Sequence, residues 1–262
     1  MTRVEEFELG FRFPFPWTSR CLASSARCAL PALTSLRFTG PSGYLEHLIA
    51  PIDSPLLDNL DVVHFHFFQP GLNTPQLASF VDRTPKLKVL REAHTIFGYS
   101  DVFVTLPWTR GRGLHFRITF VSGQLSVSVL LQFCTSSLFR TLIPMIKRLY
   151  ILNGNSPSLH WLRNIESSQW LDLLCPFTAI EDLYLSQEFS LHIVPALHGI
   201  SGEGMKEVLP SLQNLFLERP SPSGPVEEAI EQSVTALNLA SRPIAISQWD
   251  RVRDPRWRYE DR

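Results

Sequence analysis

One phrase recurs along this chain: an apolar residue, two others, an apolar residue, one other, an apolar residue. It reads Val4-Phe7-Leu9, Leu33-Leu36-Phe38, Leu57-Leu60-Val62, Ile146-Leu149-Ile151, Ile180-Leu183-Leu185 and Leu212-Leu215-Leu217. Two weaker copies fill the gaps. In Leu87-Leu90 the last apolar place holds Glu92, and in Phe116-Ile118 the first holds Gly113. The copies start at 4, 33, 57, 87, 113, 146, 180 and 212. A short unit returning at this spacing constrains the fold strongly, because no single unit can bury its apolar face without its neighbours.

The mean step, about 30 residues, and the form of the phrase are those of leucine-rich repeats. The last two apolar positions, two residues apart, face one side of a strand. Between phrases lie helical stripes: Tyr44-Leu45-Leu48-Ile49, Leu77-Phe80-Val81 and Trp170-Leu171-Leu173-Leu174. Pro31, Pro55, Pro85, Pro144, Pro176 and Pro210 stand just before or inside the next phrase, where proline stops a helix and favours extended backbone. The expected fold class is α/β, a leucine-rich-repeat solenoid with parallel strands on the concave face and helices on the convex face. Residues 1–222 are read as about eight irregular repeats, 223–248 as a capping helix and short strand, and 249–262 as a frayed charged tail. Phe11 to Arg27 and Gly98 to Gly113 are expected to be long loops. The first phrase has no polar capping element before it, so an open or externally covered parallel edge is expected there.

Composition narrows the function classes. The chain has 262 residues, 44% hydrophobic and 19% charged, with a net charge of −1. It is long enough for a sizeable core, and no global field attracts nucleic acid or an anionic membrane. Cys21, Cys28, Cys134 and Cys175 form no C-x-x-C pair, so no structural zinc site is expected. The apolar stretch around Val127 to Phe133 is too short to span a bilayer. With no signal-like segment, reduced cysteines and a cytoplasmic or nuclear location are expected. His64 and His66 share a strand face but have no further ligand placed by local spacing, so no metal is expected. The Gly199 to Gly204 segment matches neither a dinucleotide fingerprint nor a nucleophile elbow, and reads as a loop. No cofactor and no catalytic residue is expected.

In a leucine-rich-repeat strand, position five of the phrase points to the concave face. That column reads Glu8, Arg37, Asp61, Arg91, Arg117, Tyr150, Tyr184 and Phe216. It is charged at first and aromatic at the end. With parallel strands about 4.8 Å apart, Tyr150, Tyr184 and Phe216 make a nearly continuous strip. One reading makes them a docking platform, with Arg91 and Arg117 beside it for an acidic group. The other packs them under the long loops or the C-terminal cap.

A family resemblance rests on longer stretches. These are Leu209-Pro210-Ser211-Leu212-Gln213-Asn214-Leu215-Phe216-Leu217-Glu218, then Pro222-Ser223-Gly224-Pro225, then Ile230-Glu231-Gln232, then the run from Ser241 to Asp250. Upstream, Leu30 to Leu36 and Ser54 to Leu60 match the same pattern. Together they resemble the F-box and leucine-rich-repeat-like proteins of mushroom-forming fungi. The resemblance implies a substrate-recognition module of an SCF-type ubiquitin ligase, with a protein substrate on the concave face; the near-neutral, mixed charge and the lack of a long apolar segment give no reason to expect a nucleic-acid or membrane partner. No F-box-like segment precedes Val4, so a Skp-type adaptor is expected as a partner only if an F-box lies outside this chain. The alternative is an interaction scaffold without a ligase role.

Overall fold

Six times, a tight turn closes onto the first apolar residue of the phrase. The amides of Leu33, Leu57, Leu87, Ile146, Ile180 and Leu212 each donate to the carbonyl three residues back, at 3.1 to 3.4 Å. Five of these turns carry proline at their second position, namely Pro31, Pro55, Pro85, Pro144 and Pro210, where its fixed φ suits the turn. All six residues that close the turn are buried.

This computed structural model describes residues 4–11, 27–66, 74–88, 91–98, 101–109, 112–120, 131, 134, 136–154, 162, 165–199, 208–218 and 244–251. In chain order the strands are β1 (Glu6–Gly10), β2 (Cys28–Ala29), β3 (Ser35–Gly40), β4 (Ile52–Asp53), β5 (Asn59–His66), β6 (Glu92–Phe97), β7 (Asp101–Thr109), β8 (Arg112–Phe120), β9 (Arg148–Asn153), β10 (Asp182–Leu185), β11 (Asn214–Glu218) and β12 (Ala245–Trp249). The helices are α1 (Ser42–Ile49), α2 (Pro75–Arg83), α3 (Ser137–Leu142), α4 (Ser167–Leu174) and α5 (Gln187–Gly199). The fold is mixed α/β with mostly parallel strand pairing. It divides into two compact units, Met1–Arg91 with Ser100–Leu142, and Glu92–Tyr99 with Ile143–Arg262.

In the first unit the strand order is β1-β3-β5-β8-β7. All pairs are parallel except β7–β8, which is antiparallel. Leu36, Phe38, Leu60, Val62, Leu114 and Phe116 are buried on one face. Phe116 meets Phe139 of α3 edge-on, 5.7 Å between ring centres, so this face carries the helices. In the second unit the order is β6-β9-β10-β11-β12, with the described pairs parallel. Phe97 packs on Phe189 of α5 at 4.7 Å, and Phe189 on Trp170 of α4 at 5.8 Å. Burying these large side chains is the main stabilising term in each unit.

The strands line up through a shared carbonyl. The amides of Thr34 and Ser35 both donate to Glu5, those of Asp58 and Asn59 to Thr34, those of Glu181 and Asp182 to Lys147, and those of Gln213 and Asn214 to Glu181. This pattern sets the cross-strand register, so phrase residues of the same rank lie side by side.

Three expectations need correction. Residues 98–113 are not a long loop: β7 covers 101–109 and forms a hairpin with β8. Val102, Val104 and Leu106 alternate inward and are buried, a period-two signal masked by Pro107, which sits where the ladder is irregular. Second, the strand begins two residues after the first apolar residue in the six strong copies, but five after Leu87. Without that displacement Glu92 would take an inward place and bury a carboxylate among apolar side chains. The displacement puts Ala93 inward and Glu92 outward. Third, Trp249 does not fray: it ends β12 and is buried. Residues 12–26 of the loop read at Phe11 to Arg27, residues 200–204 of the loop read at Gly199 to Gly204, the helix read at 226–237 and the tail from 252 lie outside the described residues, as do the side chains of His64 and His66. Among the described residues no helix is long and apolar enough to cross a membrane.

Candidate interaction surface

Each sheet has a second face, turned away from the described helices, and the two units treat it differently. In the first unit the outward column is Glu8, Arg37, Asp61 and His115. Arg37 bridges its neighbours: its Nε lies 3.2 Å from an Asp61 carboxylate oxygen and 3.8 Å from one of Glu8. The Arg37 and Glu8 side chains are 54% and 72% exposed, so this column meets solvent. One step nearer the strand starts, the Asn59 amide donates to the Ser35 hydroxyl at 3.0 Å.

Arg117 and Arg91, read from the sequence as members of the column, are not in it. Arg117 pairs with Val63, one step further along β5. Its guanidinium is engaged twice over. Nε and Nη2 each lie 2.9 Å from the Asp101 carboxylate, and the group sits 4.3 Å from the Phe103 ring centre. Arg91 is exposed and precedes β6. The register across β6 and β9 puts His94 in the place expected for Arg91.

In the second unit the same face carries two rows. The first is polar: Glu92, Arg148, Asp182 and Asn214 lie side by side. Arg148 reaches Glu92 at 2.7 Å and Asp182 at 3.2 Å, and the Asn214 amide donates to Asp182 at 2.7 Å. Beside Glu92 lies the His94 imidazole, 3.7 Å away. Held by His94 and Arg148, the Glu92 carboxyl titrates at about 2 despite partial burial. Hydrogen bonding to Glu92 in turn raises the Arg148 guanidinium pKa.

The second row is aromatic: His94, Tyr150, Tyr184 and Phe216. Tyr150 stacks on Tyr184 at 4.1 Å between ring centres, and Tyr184 on Phe216 at 4.3 Å with planes 7° apart. His94 meets Tyr150 edge-on at 4.4 Å. The strip read from the sequence is therefore formed, but it is covered. Trp249 stands edge-on over Tyr184 at 5.5 Å and over Tyr150 at 6.2 Å, its indole N–H donating to the Leu185 carbonyl. Tyr150 is fully buried and Tyr184 is 8% exposed, with Phe216 half-buried.

The column reading missed Glu92, Arg148, His94 and Trp249. A test of which way Glu92 can face would have exposed the first three. Trp249 carries no local signal, since its role depends on β12 pairing with β11. Among the described residues no group of three or more metal-ligating side chains comes together. The Cys134 thiol is pushed up to about 12 by burial, far from nucleophilic chemistry at neutral pH. What the outward rows of each unit offer is charge and hydrogen bonding. No family model matches the chain, and neither any curated protein nor any solved structure does.

Proposed function

We propose that this chain is a non-enzymatic protein-binding module, a leucine-rich-repeat solenoid whose strands present a partner-binding face. The observation that carries the reading is the column of exposed Glu8, exposed Arg37 and half-buried Asp61 on the face of the first unit opposite its helices. A rigid sheet with fixed charge spacing suits recognition of a folded partner at low entropic cost. In the second unit, the aromatic row beneath Trp249 fits better as buried packing than as a contact surface. Following the resemblance to F-box proteins, the partner is a substrate protein of an SCF-type ubiquitin ligase. The second reading is a scaffold with no ligase role. Purified Skp adaptor mixed with the product of the complete transcript separates the two. A stable complex supports the ligase reading; no complex overturns it and leaves the scaffold.

A further inference from the structure

Strand β1 stands at the end of the strand order, and among the described residues β3 is its one strand neighbour. The Glu5 carbonyl accepts from Ser35 and the Phe11 amide donates to Thr39. By strand alternation, odd-numbered residues from 5 to 11 bond to β3, and the amides and carbonyls of Glu6, Glu8 and Gly10 point to the open side. The side chains report the same gap. Phe7 and Leu9 are only half-buried, although their partners Leu36 and Phe38 are completely buried. On the other face Glu6 and Glu8 are exposed, and the charge sequence across the strands is Glu8, Arg37, Asp61. One more strand beyond Glu8 continues that alternation only if it places a cation there.

We propose that the β1 edge binds an extended segment of a partner protein by strand addition, the segment alternating basic and apolar residues. Its main chain pairs with Glu6, Glu8 and Gly10. Its basic side chains lie against the Glu6 and Glu8 carboxylates, as Arg37 lies against Glu8 on the other side. Its apolar side chains finish the cover over Phe7 and Leu9. This inference rests on the protein-binding reading and names the kind of partner one edge takes.

The test titrates the full chain with a short synthetic peptide alternating lysine and valine. The expected result is saturable binding that shifts the amide resonances of Glu6, Glu8 and Gly10. The doubly reversed variant Glu6→Lys/Glu8→Lys weakens it by about fivefold or more, the size expected for two exposed charge pairs. A peptide alternating glutamate and valine shows the opposite preference, binding that variant and not the natural chain. Alternate N-methylation of the peptide, which removes its strand-pairing donors, abolishes binding. Three results overturn the proposal: equal binding of the N-methylated peptide, equal binding of a peptide with its lysines grouped together, or resonance shifts confined elsewhere. A shift of the monomer–dimer equilibrium that the peptide does not reverse assigns the edge to a second copy, and also overturns it. Peptide binding without adaptor capture leaves the edge assignment standing and removes only the ligase reading.

Discussion

Glu46 and Arg83 cap each other's helices. The Glu46 carboxylate, on α1, accepts from the Gln76 and Leu77 amides at the start of α2, at 2.7 and 2.9 Å. Arg83, at the end of α2, donates to the carbonyls of Ile49, Ala50 and Ile52 just where α1 ends, at 3.2 to 3.5 Å. Thr74, the local N-cap residue, supplies no side-chain cap, so the carboxylate from the neighbouring helix does that work. Each helix thus terminates on its neighbour.

Glu46→Ala leaves two amides at the start of α2 without their acceptor. A loss of about 1–2 kcal/mol is expected, the range for removing an N-cap. Urea denaturation followed by far-ultraviolet circular dichroism measures it. An unchanged midpoint would show that water replaces the carboxylate without cost.

Glu92 governs an acid-sensitive component of stability. Its carboxyl sits at about 2 in the folded chain against an ordinary 4.5. The stability it contributes is complete above about pH 4.5 and is lost as pH falls through 2. Glu92→Gln is therefore expected to be less stable at neutral pH by up to about 3 kcal/mol. The difference from the natural chain shrinks toward zero as pH approaches 2. Denaturation midpoints of both proteins across this range test the slope.

Trp249→Ala uncovers the stacked tyrosines. The expected cost is about 3–5 kcal/mol, that of removing a large buried aromatic, with Tyr150 and Tyr184 newly open to solvent. Near-ultraviolet circular dichroism should lose the tyrosine signal under conditions where the far-ultraviolet spectrum persists. Retention of both signals would show that Trp249 is not the cover.

Two glycines give opposite results. Gly113 has φ +149°, and a Cβ there would be driven into the Leu106 carbonyl oxygen across the β7–β8 hairpin. Gly113→Ala is expected to cost more than about 2 kcal/mol. Gly43 lies in α1 with open space around it, so Gly43→Ala should stabilise by up to about 1 kcal/mol through helix propensity. Thermal melts of the pair decide the sign of each.

The thiols should react in two classes. Cys28 and Cys175 are exposed and Cys134 is buried. With its pKa at about 12, Cys134 should stay unlabelled by iodoacetamide in the native protein and react only after unfolding. Peptide mapping of the labelled chain reads this directly.

The inward residues of the strong phrases were legible because burial demands them. Leu36 and Leu60 in the first unit, and Leu149, Leu183 and Leu215 in the second, share one rank in the phrase, and within each unit they pair in register and are buried. The helical stripes around Leu45, Leu77 and Trp170 were legible for the same reason. The outward column was legible only where the phrase was strong. At Arg91 and Arg117 it slipped, because two weak copies were aligned on spacing alone.

The chain's sequence by itself determined the period, the inward apolar face, the proline turns and the stacking rank of Tyr150, Tyr184 and Phe216. These follow from backbone geometry and from the need to remove apolar side chains from water, both local in the pattern. Tertiary structure alone decided that Glu92 turns outward to Arg148 and that residues 101–109 form a hairpin strand. It also decided that Trp249 closes over the tyrosines. Each of these depends on a partner far away in sequence: Asp182 beyond Arg148, Ile118 opposite Val102, Leu185 beneath Trp249. Spacing along one strand carries no information about which residue waits on the next.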